Sequence, residues 1–333
     1  MVGKRQVGPF EVEPVGFGCM SLSHAYGTPP PQAHSVRLLN AALDLGYDFI
    51  DTAALYGFGA NESLIREAIG HRRGAFVLAS KCGMTGIDGK RVIDGRPVTL
   101  RKTLEESLAR LGTDVIDLYY LHRWDKKVPI EDSVGSLGEF VREGKVRAIG
   151  LSEVSAATLR KAHAVHPIAA VQNEYSPWSR NVELGLLAAT REIGATLVCF
   201  SPTARGFLAG AVSSEDALAA GDLRLSMPRF QGENLQRNLR LYRGFEALAA
   251  KAGCTPAQLS LAWVLSRGEH VVPIAGTTSL AHLEENFESG RLDIAANLLA
   301  EVDRVIAPDA VAGERYAPAT LAEVDTEEQD PKA

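Results

Sequence analysis

The sequence predicts an α/β protein in which eight parallel strands close into a single (β/α)8 barrel, the TIM-barrel architecture. Short apolar runs of strand length alternate with segments of helical periodicity along most of the 333 residues. No stretch of linker-like composition interrupts this alternation, so we expect one domain over residues 1–333 with its core at about 7–308. The carboxyl ends of the strands in such a barrel share one face, and active sites lie there.

The elements follow one another in a regular order. Residues 3–14 predict a hairpin ahead of the barrel, and the first barrel strand is predicted at 15–19. The other barrel strands are predicted at 49–51, 76–81, 115–121, 146–151, 168–171, 196–200 and 271–272. Helices are predicted at 32–45, 61–69, 99–111, 130–143, 156–165, 182–193, 239–251 and 256–266, with extra carboxyl-terminal helices at 280–289 and 295–306.

Local signals set several expected boundaries. Asn61 and Thr99 are expected to begin the helices that follow the second and third barrel strands. Residues 82–97 are predicted to form a glycine-rich loop, and residues 203–237 a long loop after strand seven, of the kind that is usually functional or disordered. The acidic tail at 309–333 is expected to be flexible.

The composition argues against several classes of function. With 35 Lys and Arg against 41 Asp and Glu, the net charge is -6, whereas a nucleic-acid-binding face would be basic. No apolar run reaches the length of a membrane span and no signal-peptide core follows Met1, so we expect a cytoplasmic protein. The cysteines show neither a CxxC pair nor a zinc-ligand spacing with His, so we expect free thiols and no metal. They are Cys19, Cys82, Cys199 and Cys254.

Residues able to do chemistry fall at the ends of consecutive predicted strands. Asp51 ends the second barrel strand, Lys81 ends the third, and His122 follows the fourth. Tyr56 lies in the loop just after Asp51. Because parallel barrel strands end on one face, we expect these four side chains to meet there. Each residue alone has an ordinary structural explanation, but their joint placement indicates a site.

These four residue types suit the reduction of a carbonyl group. The pKa of a tyrosine phenol is ordinarily about 10, and we expect the Lys81 ammonium to lower the pKa of Tyr56 while Asp51 keeps Lys81 charged and oriented. His122 is expected to donate a hydrogen bond to the substrate oxygen, and Tyr56 to give that oxygen a proton. Side chains cannot deliver hydride, so a nicotinamide cofactor is implied.

Taken together, these motifs resemble those of the aldo-keto reductase superfamily over about residues 7–308. The resemblance implies a TIM barrel with Tyr56 as proton donor, Lys81 and Asp51 as its tuning pair, and His122 orienting the carbonyl. Two segments, Gly18-Cys19-Met20-Ser21 and residues 174–180, are similar to the microbial and plant branch that includes pyridoxal reductases. The motifs that carry the resemblance are Asp51-Thr52-Ala53-Ala54-Leu55-Tyr56-Gly57 with Asn61-Glu62, Ser80-Lys81, Leu121-His122, Gly150-Leu151-Ser152, Gln172-Asn173-Glu174-Tyr175, Phe200-Ser201-Pro202 with Arg205-Gly206, and Gly276-Thr277 with Glu284-Glu285-Asn286.

The resemblance also implies a cofactor site. NADPH is favoured, although NADH stays possible because Thr278 and Ser279 stand where a Lys or Arg often recognises the 2′-phosphate. The nicotinamide end is implied to contact Ser152, Gln172 and Asn173, with the ring stacked on Phe200, which replaces a usual Tyr. Further implied contacts are Ser201, Pro202, Arg205, Leu208 and Gly210 toward the pyrophosphate, and Gly276, Thr277, Thr278, His282, Glu285 and Asn286 toward the adenosine.

We expect a small-molecule carbonyl substrate in a pocket lined by Tyr26, Trp124 and Trp178, which favours an apolar or aromatic aldehyde. The oligomeric state stays open. Three other functions also stay open: NAD-linked alcohol oxidation on the same scaffold, a Schiff-base lyase that uses Lys81, and a nicotinamide-binding sensor. Against the lyase, a nearby Asp51 raises the pKa of Lys81, whereas a Schiff-base amine needs a lowered pKa.

Overall fold

The computed structural model describes residues 2–23, 25–87 and 90–328. Eight of its strands form a closed barrel, and the other four form two hairpins outside the barrel. The first hairpin, β1 (Arg5–Val7) with β2 (Phe10–Val12), precedes the barrel. The remaining strands, of which β6 and β7 form the second hairpin, are β3 (Gly16–Gly18), β4 (Phe49–Asp51), β5 (Val77–Cys82), β6 (Met84–Ile87), β7 (Lys90–Ile93), β8 (Ile116–Leu121), β9 (Val146–Ser152), β10 (Ala170–Glu174), β11 (Thr196–Phe200) and β12 (Val271–Ala275).

Neighbouring barrel strands are parallel, and the pairing of β12 with β3 closes the ring. At this seam Gly16 lies beside Ile274, and a Cβ on Gly16 would come within 2.7 Å of the Phe49 ring. The same Cβ would lie 3.0 Å from Cγ2 of Ile274, so the absence of a side chain at Gly16 makes room for side chains of both neighbouring strands, β4 and β12. The predicted TIM barrel with an amino-terminal hairpin is confirmed.

Helices follow the barrel strands and cover the outside of the barrel. Most of their predicted positions are confirmed, and Thr255 caps its helix with Pro256 at the first helical position, as the sequence predicts. The helices are α1 (Gln32–Leu45), α2 (Ala60–Ile69), α3 (Pro97–Leu111), α4 (Ile130–Arg142), α5 (Ala156–Val165), α6 (Leu186–Ile193), α7 (Gly232–Ala252), α8 (Pro256–Leu265), α9 (Leu280–Glu288), α10 (Ala296–Val305) and α11 (Pro318–Leu321).

The alternation of side chains along the strands divides the core in two. On β8, Leu118 and Tyr120 belong to the cluster inside the barrel, whereas Tyr119 belongs to the larger cluster between barrel and helices. The β1–β2 hairpin adds Val7 and Val12 to the inner cluster. The hairpin therefore covers the amino-terminal end of the barrel and leaves the carboxyl end open.

Two predicted helix starts are wrong. Asn61 lies inside α2, which begins at Ala60, and its side-chain amide donates to the Cys19 carbonyl at 2.9 Å instead of capping the helix. Thr99 lies inside α3, because Pro97 already occupies the first turn, and the Thr99 hydroxyl donates to Asp94 at 2.8 Å. Both polar side chains bind neighbouring segments, which a local capping pattern does not reveal.

Two predicted loops contain regular structure. Within residues 82–97, the β6–β7 hairpin replaces part of the expected glycine-rich loop. The long loop after β11 is shorter than expected, because α7 begins at Gly232 and not at residue 239. The buried side of this first part of α7 carries Asn238, whose amide donates to the Ala312 carbonyl at 2.9 Å. Because this buried residue is polar, the first part of α7 lacks the apolar periodicity that predicts a helix, and the predicted start was too late.

The described part of the carboxyl-terminal tail packs against the barrel, contrary to the expectation of a flexible segment. Arg315 is 5% exposed, and its guanidinium donates to both carboxylate oxygens of Glu153, at 3.2 and 2.9 Å. The hydroxyl of Thr326 also donates to Glu153, at 2.8 Å, and Asp325 accepts from the Ser155 hydroxyl at 2.9 Å. Residues 329–333 of the predicted tail lie outside the described residues.

Glu153 is the buried anchor of this tail. It follows β9 directly, is 1% exposed and has a positive φ of 54°. Burial acts to raise the pKa of Glu153, but the charges of Arg315 and Arg123 outweigh burial and hold this pKa at about 2, below the ordinary 4.5. Glu153 is therefore an anion in the folded protein throughout the neutral and mildly acidic range.

All four cysteines are free thiols. Cys19, Cys82 and Cys199 are buried, and Cys254 is partly buried. Among the described residues, no three His, Cys, Asp or Glu side chains are grouped so that they could hold a metal ion. The helices of this part of the chain include none that is both long and apolar enough to cross a membrane.

We predict that Glu153→Gln lowers the free energy of unfolding at pH 7 by about 3 kcal/mol, because the change leaves the buried Arg315 with only the more distant carboxylate of Glu174, at 3.5 Å. The deficit should shrink as the pH falls from about 4.5 toward 2, since the unfolded wild-type carboxyl then binds a proton that the folded one does not. Urea unfolding at several pH values measures this difference. The matched control Glu139→Gln alters a carboxylate that is half exposed, and it should change stability by less than about 0.5 kcal/mol. A deficit independent of pH would contradict the assignment.

Candidate active site

The carboxyl end of the barrel holds a buried lysine whose ammonium binds three oxygen atoms. Lys81 Nζ, on β5, donates to Asp51 Oδ1 at 2.5 Å, to the Thr52 carbonyl at 2.8 Å and to the Tyr56 phenol oxygen at 3.2 Å. Lys81 is 0% exposed, and Asp51 is 1% exposed. The other oxygen of Asp51 accepts from the Gln172 amide at 2.7 Å. All three ammonium hydrogens thus have acceptors.

The direction of the bond between Lys81 and Tyr56 decides which way the phenol proton points. An ammonium group can only donate, so the Tyr56 oxygen is the acceptor in this bond. The Tyr56 hydroxyl hydrogen is therefore left to a different acceptor. Because Tyr56 also lines the cavity described below, that hydrogen is available there to an acceptor on a bound ligand.

The pKa of Tyr56 differs from the sequence-based expectation. Burial raises the pKa of Tyr56 above its ordinary value of 10.0, and the nearby Lys81 charge lowers it without overcoming burial. The expected net lowering is therefore wrong, because the sequence does not show how completely Tyr56 is buried. For Lys81, burial acts to lower the pKa, but Asp51 and Tyr56 outweigh it and the pKa is raised. The pair is thus a neutral phenol beside a charged ammonium.

His122 completes the expected group of four. It follows β8 directly and is 7% exposed. Its ring meets the Tyr56 ring edge-on, with the centroids 5.9 Å apart and the planes at 85°. The structure therefore brings together all four residues that the sequence places at the strand ends.

A cavity of about 770 Å³ opens above these residues, within the size range of pockets for small ligands. Asp51, Tyr56 and His122 line it, and so does the segment from β12 to α9. Most of the expected cofactor contacts line the same cavity. They are Ser152, Gln172, Phe200, Ser201, Arg205, Gly276, Thr277, Thr278, His282, Glu285 and Asn286.

Asn173 is absent from the described residues that line the cavity. Its side-chain oxygen accepts from the Glu153 backbone amide at 2.9 Å, and its amide nitrogen donates to the Thr326 hydroxyl at 3.1 Å. Asn173 therefore holds the tail and not the wall of the cavity.

Pro202, Leu208 and Gly210 are also absent from that lining. The Pro202 carbonyl accepts from the Ser260 hydroxyl at 2.6 Å, and Leu208 is 0% exposed within the core. A Cβ on Gly210 would lie 2.5 Å from the Tyr242 hydroxyl. These residues shape the loop after β11 from behind, which a motif match alone cannot distinguish from direct contact.

The loop after β11 presents Arg205 to the cavity through an unusual backbone. Ser201, Ala204 and Arg205 have positive φ values of 51°, 53° and 59°. Such a conformation is costly for residues with side chains and persists where surrounding contacts hold it. The Arg205 guanidinium donates to Glu174 and to the Tyr316 hydroxyl, each at 2.8 Å. Residue Tyr316 belongs to the tail, so the tail and this loop support each other.

The lining has the donors and surfaces that a nicotinamide dinucleotide requires. Phe200 offers an aromatic face, and Gln172 and Ser152 offer polar groups beside the four residues at the strand ends. Helix α8 directs its first turn to the cavity through Thr255, Pro256 and Ala257. The amino-terminal end of a helix carries partial positive charge and binds phosphate groups. The residues present therefore fit the cofactor.

The structure places one of the three residues predicted for the substrate pocket in the lining of this cavity. Tyr26 lines the cavity, but Trp124 and Trp178 are not among its described lining residues. Trp178 is 4% exposed and stacks on Phe207, with centroids 4.3 Å apart and planes at 15°. The Trp124 indole donates to the Val128 carbonyl at 2.8 Å. Trp178 thus packs against the loop after β11, whereas Trp124 is bound within its own loop. The presence of an aromatic residue in a sequence does not show which surface its ring faces.

Residues far along the chain form walls that the sequence analysis missed. The tail contributes Tyr316, Ala317 and Thr320 to the lining, and the β6–β7 hairpin contributes Arg91. Arg91 forms an ion pair with Glu323 of the tail, which joins the two segments across the opening. No local pattern in the sequence signals the ion pair of Arg91 with Glu323, since the two residues are more than two hundred positions apart.

The comparisons with known proteins agree with this geometry. The model of the Aldo/keto reductase family matches residues 14–307. The chain is 42% identical to aldo-keto reductase yakc [NADP(+)] of Schizosaccharomyces pombe over an alignment of 322 residues, and the match covers 94% of each chain.

Two solved structures extend the likeness to the fold. A glycerol dehydrogenase from Gluconobacter oxydans superimposes with a TM-score of 0.84 at 28% identity, covering 95% of this chain and 98% of that one. An aldo/keto reductase from Klebsiella pneumoniae in complex with NADP and acetate gives a TM-score of 0.71 at 25% identity, covering 95% and 99%. The chain belongs to the aldo/keto reductase family and is an NAD(P)-dependent oxidoreductase that acts on carbonyl and alcohol groups.

Proposed function

We propose that the protein reduces an aldehyde or ketone to an alcohol with NADPH, and that Tyr56 donates the proton. The observation that carries this proposal is the 3.2 Å hydrogen bond in which Lys81 donates to the Tyr56 oxygen. That bond leaves the phenol hydrogen for a ligand in the cavity. The raised pKa of Tyr56 keeps that hydrogen in place near neutral pH, as a general acid requires.

The roles of the four residues follow from their contacts. When bound, the nicotinamide supplies the hydride that goes to the carbonyl carbon. Tyr56 then gives its proton to the carbonyl oxygen, and the Lys81 ammonium stabilises the phenolate that remains. Asp51 keeps Lys81 charged and fixed in direction. His122, whose ring contacts Tyr56, is proposed to donate a hydrogen bond to the same carbonyl oxygen.

The same geometry argues against the lyase that uses Lys81. A Schiff base forms from a neutral amine, whereas the Lys81 ammonium makes three hydrogen bonds and its pKa is raised. Alcohol oxidation needs no other arrangement, because a Tyr56 phenolate beside Lys81 accepts the proton when the reaction runs backward. The proposal of reduction therefore includes its reverse on the same residues.

The preference for NADPH rests on relatives and on one end of the cavity. The Schizosaccharomyces pombe relative carries NADP(+) in its name, and the Klebsiella pneumoniae structure contains NADP. In this chain, Thr278 and His282 line the cavity at the amino-terminal turn of α9. We propose that His282 and this helix end bind the 2′-phosphate. They would replace the Lys or Arg that often stands where this chain has Thr278 and Ser279.

We predict that Tyr56→Phe lowers kcat for aldehyde reduction by about 10²- to 10⁴-fold, because it removes only the donated proton. The dissociation constant for NADPH should stay within about twofold of wild type. Loss of NADPH absorbance and quenching of tryptophan fluorescence measure the two quantities. Tyr242→Phe is the matched control, since it removes a hydroxyl bound to exposed Glu246. A Tyr56→Phe rate near that of wild type would rule out the assigned proton donor.

We also predict that the wild-type protein binds NADPH at least about tenfold more tightly than NADH, since a hydrogen bond to a charged group contributes about 1.5–3 kcal/mol. His282→Ala should remove most of this preference by weakening NADPH alone. Fluorescence titration with each cofactor provides the measurement, and His71→Ala, at an exposed histidine outside the cavity lining, serves as control. Equal losses for both cofactors would exclude His282 from recognition of the 2′-phosphate.

A further inference from the structure

Arg123 is a buried guanidinium in the cavity wall that lacks a carboxylate partner. It directly follows His122, is 9% exposed and lines the cavity. Its Nη1 atom donates to the His122 carbonyl at 2.7 Å and to the Ser152 hydroxyl at 3.2 Å. Both acceptors are neutral, and the buried Nε atom has no hydrogen-bond partner among the described residues.

The other arginines of the cavity wall are each paired with a carboxylate. Arg205 pairs with Glu174, Arg224 with Asp222, and Arg91 with Glu323. For Arg123, by contrast, the described part of the chain provides no carboxylate oxygen within 4.0 Å, the distance that defines an ion pair. The nearby carboxylate of Glu153 is already bound by Arg315 and Thr326.

A buried cation that no carboxylate binds directly is costly to the folded protein. Such a group persists where a ligand supplies the missing charge. The charge of Arg123 also acts on Tyr56, whose pKa it helps to lower against the larger effect of burial. An anion bound by Arg123 would therefore lie close to the carbonyl that receives the Tyr56 proton.

We propose that Arg123 selects carbonyl substrates that carry a carboxylate near the reacting carbonyl. The acid group binds the free edge of the guanidinium, while the carbonyl oxygen faces Tyr56 and His122. A charge-assisted bond to a planar guanidinium fixes direction as well as position. This proposal rests on the proposed reductase function and adds the class of substrate to it.

The substrate test compares aldehydes of equal length with and without the acid. Glyoxylate is paired with acetaldehyde, and succinate semialdehyde with butanal, each reduced by the full chain with saturating NADPH. We expect kcat/KM to favour one or both acids by at least about tenfold, the effect of a hydrogen bond to a charged group. The acid that is favoured also reports the spacing between carboxylate and carbonyl.

Variants of Arg123 then assign the preference to its charge. Arg123→Met should raise KM for the favoured acid about ten- to hundredfold, and it should lower the ratio of kcat/KM for that acid to kcat/KM for its uncharged partner by at least about tenfold. Arg123→Lys, which keeps the charge without the planar fork, should retain part of the preference. Arg142→Met, at an exposed arginine of α4, should not alter the preference.

A second measurement does not depend on a folded variant. Butyrate should inhibit butanal reduction by the wild-type enzyme competitively and at least about tenfold more strongly than butyramide, which has the same shape without the charge. Equal inhibition by the two compounds would overturn the proposal.

The remaining outcomes are distinct. If the wild-type enzyme reduces butanal and acetaldehyde with the same kcat/KM as the two acids, the proposed role of Arg123 is overturned. The proposed reductase function is not affected by that result. Retention of the acid preference in Arg123→Met would also overturn that role. If Arg123→Met loses affinity for NADPH by the same factor as for the acid, Arg123 binds the cofactor and not the substrate, and the proposal is overturned. Failure of the wild-type enzyme to oxidise NADPH with any of the four aldehydes would instead contradict the proposed function itself.

Discussion

The active end of the barrel depends on the burial of one ammonium group, that of Lys81. A buried charge is tolerated only when its hydrogen bonds and counter-charge are supplied, and Asp51 supplies the charge here. The parallel register of β4 and β5 sets this distance, since Asp51 pairs with Ala79 and Lys81 follows two residues later on the same side. Closure of the barrel is what keeps those strand ends next to each other. The remaining hydrogen of the Lys81 ammonium is donated to the Tyr56 oxygen. The hydrogen bonds that make burial of this charge tolerable therefore also orient the phenol for the proposed proton donation.

A second buried charge pair completes the open end of the barrel. The eight strands alone would leave the cavity without one of its walls. Arg315 binds Glu153 at the end of β9 and thereby holds Tyr316 and Thr320 against the cavity. Acid stability and the shape of the substrate site thus depend on the same ion pair. Because Arg315 and Thr326 bind Glu153, no carboxylate among the described residues forms an ion pair with Arg123.

Much of this architecture is readable from the sequence because it arises from local patterns. Strand and helix periodicity predict the barrel, and parallel topology then brings Tyr56 and His122 together without further information. What the sequence does not reveal depends on contacts between distant segments. The packing of Trp178 into the core, the docking of Arg315 and the net direction of the Tyr56 pKa are all set by how deeply each group is buried. Residue type alone does not determine burial, and for that reason the sequence does not show that Trp124 and Trp178 lie outside the described lining of the cavity.

The most direct test of the account is single-turnover reduction by Lys81→Met with NADPH already bound. Methionine keeps a similar length and fills the buried space, while it removes the charge and the bond to the Tyr56 oxygen. The account predicts that the rate of NADPH oxidation falls by at least about a hundredfold while the dissociation constant for NADPH stays within about threefold of wild type. A rate close to that of the wild-type enzyme would contradict the claim that the buried ammonium enables Tyr56 to donate its proton.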